Sequence, residues 1–210
     1  MITIINYGLG NLGSVQNMLK RIGAPCKITS DLKEIEDAEK ILLPGVGAFD
    51  SAIQKIDELN LRSVLVHKAK VDKIPFLGIC LGMQLLTRSS EEGILNGLDL
   101  VPAKTIKFNF SSPSLLEREG ERLKIPHMGW NYVKLNTQSK LTEGFTPEHR
   151  FYFVHSYKVV CDDNTNSILK TNYGGDFDAA IQNENVYGTQ FHPEKSHKYG
   201  MHLLTNFAKI

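Results

Sequence analysis

The chain has 210 residues, 41% hydrophobic and 22% charged, which fits a globular protein of one large or two small domains. Its formal net charge of +1 provides no electrostatic basis for binding nucleic acid or an anionic membrane surface. The apolar runs are too short to span a membrane as helices, which excludes that class of membrane protein.

The first half of the chain alternates short apolar runs with amphipathic stretches. The apolar runs predict buried strands over residues 2–6, 26–29, 41–43 and 76–79, and the amphipathic stretches predict helices over residues 15–22, 49–70 and 82–88. We expect Ser14 to cap the first helix, Gly23 to end it and a break near Asn60 to interrupt the second. Strands separated by helices imply a parallel sheet that is covered on both faces.

The second half is richer in aromatic and β-branched residues, with turn residues between short runs. It predicts strands over residues 101–110, 129–135, 150–160, 166–171, 179–182 and 186–190, followed by a closing helix over residues 198–209. We expect these strands to form a mixed or antiparallel extension of the same sheet. The polar, charged residues 111–124 predict a surface loop or a hairpin extension.

The glycines at the start of the chain have two interpretations. Gly8, Gly10 and Gly13 follow the first strand with the spacing of a dinucleotide fingerprint, and Asp31 lies near where an acidic residue would contact the ribose. The spacing alone is a weak signal. Asp31 also precedes a helical pattern, where it can form a capping box with Glu34.

Cys80 lies where a buried strand runs directly into a helix. Gly78 and Gly82 flank it at the Gly-x-Cys-x-Gly spacing of a nucleophile elbow, in which a strained turn lifts the central side chain clear of the sheet. The helix N-terminus favours a thiolate there, and the N–H of Leu81 can face a developing oxyanion. The alternative is a small buried core residue, because free cysteine is among the most buried residue types. A catalytic cysteine therefore needs a base elsewhere in the chain.

The candidate base is His192, which follows the last predicted strand and precedes Pro193. Glu194, two residues further on, can reach the other ring nitrogen and fix the tautomer. The chain has seven histidines, so a chance pairing is the alternative. Of the others, His127 and His155 border aromatic segments and are candidates for the wall of a site.

The Pro44-Gly45-Val46-Gly47 segment is a second glycine-rich connection from a strand to a helix. Ligands of open α/β folds bind at this end of the sheet. Gly47 can supply a second oxyanion donor, and two glycines permit the peptide to flip. An ordinary tight turn is the alternative. The other two of the three cysteines, Cys26 and Cys161, we interpret as ordinary thiols; without metal-type spacing, the set indicates a reducing cytoplasm.

Taken together, these motifs resemble those of the class I (triad) glutamine amidotransferases. The nucleophile motif is Gly-Ile-Cys-Leu-Gly-Met-Gln over residues 78–84, and the base motif is Phe-His-Pro-Glu over residues 191–194. Residues 6–12, 126–131 and 151–157 are similar to the HisH branch, the glutaminase subunits of imidazole glycerol phosphate synthase. The resemblance covers essentially the whole chain. It implies one glutaminase domain over residues 1–210, with a flavodoxin-like α/β fold: an open, mostly parallel sheet flanked by helices, with an antiparallel extension.

The resemblance also implies the chemistry. Cys80 attacks the side-chain amide of L-glutamine, His192 transfers the proton and Glu194 orients His192. The N–H groups of Leu81 and Gly47 hold the oxyanion. No metal or cofactor is implied. By matching position, the residues expected to hold the amino-acid end of glutamine are Gly45, Gln84, Glu92 and Ser156.

The family passes ammonia to a synthase, so the resemblance implies a heterodimer with a HisF-type (β/α)8-barrel subunit in the cytoplasm. It assigns the turn at Gly10 and Asn11 to the partner face, so we predict no dinucleotide cofactor. The residues expected toward the partner are Asn11, Trp130, Tyr152 and Lys195.

Three other functions stay open at this point. A paralogous HisH-like glutaminase could feed a HisF-like partner that amidinates a sugar for surface polysaccharide; the length and charge of residues 104–124 favour this alternative. A non-catalytic subunit that kept the fold would not need the intact triad residues. A thiol peptidase of related architecture would not need the spacing of residues 191–194 or the glycine loop.

Overall fold

The computed structural model describes residues 1–109, 117–118 and 121–210. Its helices α1 to α6 span Leu12–Arg21, Leu32–Glu36, Phe49–Glu58, Leu61–Lys70, Leu81–Leu85 and His197–Lys209. Strands β1 to β7 span Ile2–Ile5, Cys26–Thr29, Lys40–Gly45, Phe76–Cys80, Ala103–Lys107, Glu117–Arg118 and Glu121–Arg122. Strands β8 to β14 span His127–Tyr132, Lys134–Leu135, Arg150–His155, Tyr157–Cys161, Ser167–Asn172, Asp176–Asn183 and Val186–Thr189.

The central sheet has the predicted parallel half and antiparallel extension. Strands β2, β1, β3, β4 and β14 lie side by side and run parallel. Strands β13, β11 and β5 continue the sheet in antiparallel pairings, and β12 joins β13 to β9. Because β14 is the parallel neighbour of β4, the segments that follow these two strands meet at one edge of the sheet.

Consecutive residues of the parallel strands face opposite sides of the sheet, and both sides are buried. Ile4 and Leu42 pack with residues of α1 and α6, whereas Ile5 and Leu43 pack with residues of α3 and α4. The runs of apolar residues follow from this arrangement, because a strand covered by helices on both faces needs apolar residues at every position.

A short antiparallel sheet of β8 and β10 lies apart from the central sheet. The single strand predicted over residues 150–160 is therefore wrong: β10 and β11 belong to different sheets, and Ser156 separates them. The β6–β7 ladder forms a hairpin within the predicted 111–124 extension. Residues 110–116 and 119–120 of that prediction, and the predicted end of β5, lie outside the described residues.

The helix boundaries confirm some predicted signals and correct others. Asn60 adopts a left-handed conformation (φ +55°) between α3 and α4, as the predicted break requires. Helix α1 begins at Leu12 after Asn11, so Ser14 lies inside the helix and is not its cap. Asp31 caps α2 by accepting a hydrogen bond from the N–H of Glu34 at 3.0 Å. The N–H of Asp31 donates to the Thr29 hydroxyl, so the reciprocal bond of the capping box is not made.

The connection from β4 to α5 depends on two glycines that pack without space for a side chain. A Cβ on Gly82 would lie 1.9 Å from the carbonyl oxygen of Leu43, and one on Gly78 would lie 2.5 Å from the carbonyl oxygen of Gly82. Both distances are far inside contact range and involve backbone atoms, which move only if the strands separate. None of the helices in the described ranges combines the length and apolar character needed to cross a membrane.

We expect Gly82→Ala to lower the free energy of unfolding by more than about 3 kcal/mol, since the methyl group must push β3 away from α5. Gly13→Ala is the matched control, because a Cβ there has open space around it within α1. It should raise stability by roughly 0.5 kcal/mol. Urea unfolding followed by circular dichroism measures both, and equal stabilities for the two variants would contradict the packing argument.

Candidate active site

Cys80 occupies the junction between β4 and α5 in a conformation that side chains rarely adopt. Its backbone angles are φ +55° and ψ −110°, and it directly precedes the first residue of α5. The strained turn that the Gly-x-Cys-x-Gly spacing predicts is therefore present. The Cys80 side chain lies at the edge where β4 and β14 end, and it is mostly buried.

His192 is fixed through its backbone and through one ring nitrogen. Its N–H donates to the carbonyl of Tyr152 at 2.9 Å, and its own carbonyl accepts the hydroxyl of Ser196 at 2.6 Å. The ring nitrogen Nδ1 lies 2.8 Å from Oε1 of Glu194, and both side chains are only 2% exposed. Among the residues that the structure describes, no hydrogen-bond partner meets Nε2, which is left for the cavity that Cys80 also lines.

The electrostatics of this arrangement favour the protonated imidazole. Burial alone would lower the pKa of His192, but its interactions with Cys80 and Glu194 outweigh burial and raise the pKa to about 10. A histidine that stays protonated between a sulfur and a carboxylate stabilises negative charge on the sulfur. The structure thus places the three predicted triad residues in a mutual arrangement suited to nucleophilic catalysis.

The cavity beside Cys80 has a volume of about 330 Å³, at the small end of the range for small-molecule sites. It is lined by most of the side chains and loops that the sequence singled out. The predicted site residues on its wall are Gly47, Cys80, Leu81, Gln84, Glu92, Ser156, His192 and Lys195.

Two of the predicted glutamine-binding residues, Gly45 and Glu92, already contact other parts of the protein. Gly45 pairs with Cys80 across β3 and β4 and is packed against the Tyr7 hydroxyl; it does not line the cavity, whereas the next two residues, Val46 and Gly47, do. One carboxylate oxygen of Glu92 accepts the N–H of Phe49 at 2.9 Å, at the start of α3. The carboxylate of Glu92 is thus held in place at the cavity wall.

The two predicted oxyanion donors come from different loops: Leu81 directly follows Cys80, whereas Gly47 comes from the connection after β3. Leu81 begins α5, and its N–H is one of the free donors of a helix start. Gly47 has a φ of +105°, a conformation open to glycine, in the loop between β3 and α3. Both residues line the cavity that Cys80 lines.

An exposed group of aromatic and cationic side chains lies beside the cavity, and we name it the aromatic face. Trp130 is 42% exposed, with His197 stacked on its ring at 5.6 Å. The ammonium group of Lys195 lies 5.7 Å from the centre of the Tyr152 ring. The members of this face are Met128, Trp130, Tyr132, Arg150, Tyr152, Lys195 and His197. Asn11 lies at the start of α1, which packs against the turn that carries Lys195.

Sequence reasoning missed Gln190 and Ser196, both of which are fully buried next to the triad. The Nε2 of Gln190 lies 3.9 Å from the Cys80 sulfur, and the Ser196 hydroxyl joins His192 to the N–H of Tyr152. Gln190 directly follows β14 and stands two residues before His192, in the Gln-Phe-His-Pro-Glu run. Its place beside the base motif is the signal in the sequence that could have found it.

His155, a candidate for the site wall, lines the cavity and ends a chain of hydrogen bonds. Its Nδ1 donates to the carbonyl of Tyr157 at 2.7 Å, so its Nε2 accepts from Nδ1 of His127 at 2.9 Å. Burial lowers the pKa of His155 to about 4, although the bond to Tyr157 opposes the shift; the nearby His192 lowers it further. His155 is therefore neutral at physiological pH.

The sequence of the whole chain matches a known family. The family model described as "Glutamine amidotransferase class-I" matches residues 3–210. The chain belongs to the class I glutamine amidotransferases. Membership agrees with the cavity that Cys80 and His192 line and with the bond between His192 and Glu194, and it confirms the resemblance drawn from the motifs.

Several relatives match this glutamine amidotransferase over its full length, and their names share one subunit. "Imidazole glycerol phosphate synthase subunit HisH 2" of Methanococcus maripaludis is 51% identical over 100% of this chain and 99% of its own length. The HisH 2 subunit of Pseudomonas aeruginosa is 45% identical, and the HisH subunit of Bdellovibrio bacteriovorus is 46% identical, each covering 100% of both chains. The chain is thus similar to HisH subunits from an archaeon and from bacteria.

Solved structures support the fold class. A crystal structure described as a glutamine amidotransferase has a TM-score of 0.70 at 14% identity, covering 100% of both chains. A chain of the PurLQS structure from Thermotoga maritima has a TM-score of 0.67 at 19% identity, covering 99% of this chain and 97% of that one. At such identities the likeness shows the shared fold alone, and the fold is the predicted one.

We expect the glutamine amidotransferase to lose stability on mild acidification, because the unfolded chain protonates His155 and the folded chain does not. A histidine with an ordinary pKa of 6.5 and a folded pKa of about 4 makes stability fall as the pH drops through that window. The expected contribution is about 2 kcal/mol between about pH 7 and pH 5. Urea unfolding at a series of pH values measures it.

The His155→Gln variant should show a flatter dependence on pH. Some slope will remain, because burial also lowers the pKa of His149, which acts in the same direction, whereas the raised pKa of His192 acts in the opposite direction. His67→Gln is the control, since that side chain is 58% exposed and should leave the slope unchanged. If His155→Gln kept the full slope, the neutral buried histidine would not be its cause.

Proposed function

We propose that this glutamine amidotransferase is the HisH-type glutaminase subunit of imidazole glycerol phosphate synthase. It hydrolyses L-glutamine to glutamate and ammonia and delivers the ammonia to a HisF-type cyclase subunit, which forms imidazole glycerol phosphate and AICAR in histidine biosynthesis. The observation that carries the proposal is the buried His192, held by Glu194 on one side and facing the cavity of Cys80 on the other. The names of the full-length relatives support the subunit and the pathway.

The first half of the reaction forms a thioester. The sulfur of Cys80 attacks the amide carbon of glutamine, and its proton resides on His192 Nε2. The carbonyl electrons move to the oxygen, where the N–H groups of Leu81 and Gly47 stabilise the negative charge. When the intermediate collapses, His192 gives its proton to the leaving nitrogen, and ammonia departs.

The second half releases glutamate. Water attacks the thioester carbon while neutral His192 accepts a proton from it, and the sulfur leaves as a thiolate next to the imidazolium. Glu194 stays hydrogen-bonded to Nδ1 throughout, so the ring keeps one orientation in both halves. The raised pKa of His192 supports this cycle, because the imidazolium is the favoured partner of the thiolate.

The amino-acid end of glutamine needs groups for a carboxylate and an ammonium. Gln84, Glu92 and Ser156 line the cavity and supply amide, carboxylate and hydroxyl or backbone groups. We assign the ammonium to the neighbourhood of the Glu92 carboxylate and the amide contacts to Gln84. Gly45 takes part through its backbone, since it has no side chain and directly precedes the loop residues Val46 and Gly47 that line the cavity.

The partner is needed because ammonia in neutral water is mostly ammonium, which is not a nucleophile. A barrel subunit that covers the cavity can receive ammonia before it meets bulk water. The aromatic face lies beside the cavity and has the composition of an interface core, with exposed tryptophan, tyrosine and arginine. We infer that the heterodimer works in the cytoplasm, where its unpaired thiols Cys26, Cys80 and Cys161 stay reduced.

The test of the proposed function is Cys80→Ser in the complex with a HisF-type subunit. Glutamine-dependent synthesis should fall by at least about a thousandfold, because a serine hydroxyl is a far poorer nucleophile than a thiolate. Synthesis from added ammonium salts should continue at the wild-type rate, since the cyclase site is on the partner. Both rates are measured as product formation.

Cys26→Ser is the control, because Cys26 lies on β2 at some distance from the cavity and should keep both rates. An equal loss of both rates in Cys80→Ser would contradict the assignment of Cys80 to glutamine hydrolysis. Unchanged glutamine-dependent synthesis would remove the assignment altogether.

The docking part of the proposal is tested by Trp130→Ala. Its large exposed ring should bury in the complex, so the dissociation constant for the HisF-type subunit should rise at least about tenfold. Val71→Ala is the control, because Val71 is 65% exposed and follows α4, at the opposite end of the strands from the cavity. Titration calorimetry measures both, and equal affinities for the two variants would place the interface elsewhere.

A further inference from the structure

Among the described residues, two polar groups meet the Cys80 sulfur at hydrogen-bond distance, and they have opposite effects. The carbonyl oxygen of Val154 lies 3.9 Å from it and can accept the thiol proton. The Nε2 of Gln190, also at 3.9 Å, can donate to the sulfur. The carbonyl therefore favours the thiol, whereas the amide N–H favours the thiolate, because a donor stabilises an anion and a carbonyl dipole repels it.

The direction of the Gln190 amide follows from its surroundings. The carbonyl of Tyr157 can only accept a hydrogen bond, so the group of Gln84 that lies 3.3 Å from it is the NH2 group. That same NH2 group lies 3.1 Å from one end of the Gln190 amide, which must then be the oxygen. The other end of the Gln190 amide, which faces the sulfur, is therefore its NH2 group.

The burial of these groups makes the arrangement rigid. Gln190 is fully buried and Gln84 is only 5% exposed, so water does not compete for their hydrogen bonds. The backbone N–H of Gln190 donates to the carbonyl of Ala179, which fixes the residue to β13. A fully buried amide with both ends engaged has one orientation, since reversing it would leave two polar groups without partners.

We propose that Gln190 positions the nucleophile: its side-chain NH2 group, oriented through Gln84 by the Tyr157 carbonyl, draws the Cys80 sulfur away from Val154 and stabilises it as a thiolate. This inference deepens the proposed function, since it rests on Cys80 as the nucleophile. Gln84, which lines the cavity wall, is the residue through which the amide orientation is fixed. Gln190 itself is a positioning residue and does not contact the substrate.

The experiment measures the alkylation of Cys80 by iodoacetamide as a function of pH, with mass spectrometry to identify the modified residue. The full-length chain is compared with Gln190→Leu, Gln190→Met and Gln190→Glu. The pH midpoint of alkylation should rise by about one unit in the Leu and Met variants, a roughly tenfold loss of rate near neutral pH. Gln190→Glu keeps the shape of the side chain and places a carboxyl group at the sulfur, so its midpoint should rise further.

Gln182→Leu is the matched control. Gln182 lies on β13 and donates one side-chain bond to the carbonyl of Glu184, so the variant loses a glutamine hydrogen bond without touching the sulfur. Its alkylation profile should match that of the unmodified sequence. Circular dichroism melting shows which variants are folded. If the Leu and Met variants do not fold, the alkylation midpoint of Gln190→Glu alone tests the proposal.

Midpoints within about two tenths of a unit of the control in the folded Gln190 variants would overturn the proposal. The readout is independent of glutamine and of the partner. Suppose that the Gln190 variants show a shifted midpoint, but the unmodified protein in the complex does not hydrolyse glutamine. That result would support the role of Gln190 and contradict the proposed function. Unshifted midpoints in the Gln190 variants, together with glutamine hydrolysis by the unmodified protein in the complex, would support the proposed function and overturn the role of Gln190.

Discussion

The close packing of Gly82 against the Leu43 carbonyl determines where the sulfur lies. Because no side chain fits between β3 and the start of α5, the chain turns within one residue of the end of β4. Cys80 takes the strain of that turn in its backbone, and its side chain reaches the edge where β14 ends. The position of His192 relative to the sulfur depends on this geometry, because His192 follows β14, the parallel neighbour of β4.

The parallel half of the fold was predictable because its signals are local. Apolar runs, short connections and the glycines at the turns predict β1 to β4 and the helices between them within a few residues. The antiparallel half was predicted less well. Residues 150–160 form one run rich in aromatic and β-branched residues, and nothing local marks Ser156 as the point where the chain leaves one sheet and joins another. Sheet membership depends on distant partners, which local patterns do not encode.

The candidate site shows the same division. Cys80, His192 and Glu194 were predictable from motifs, because turn and strand-end positions restrict which residues can stand there. Gln190 stands beside the base motif, but its contact with the sulfur was not predictable, since a buried glutamine looks like many others until its neighbours are known. Its role depends on Gln84 and on the Tyr157 carbonyl, which come from a helix and from a strand that are far apart in the sequence.

Strand β10 belongs to two surfaces at once. Tyr152 contributes its ring to the aromatic face and its carbonyl to the N–H of His192, while the Val154 carbonyl two residues later faces the sulfur. Strand β8 pairs with all of these positions. A substitution on the exposed side of β8 or β10 that displaces the backbone would therefore move groups that contact both His192 and the Cys80 sulfur. In such variants, affinity for the partner and turnover would change together, and only substitutions that leave the backbone of β8 and β10 in place can separate the two.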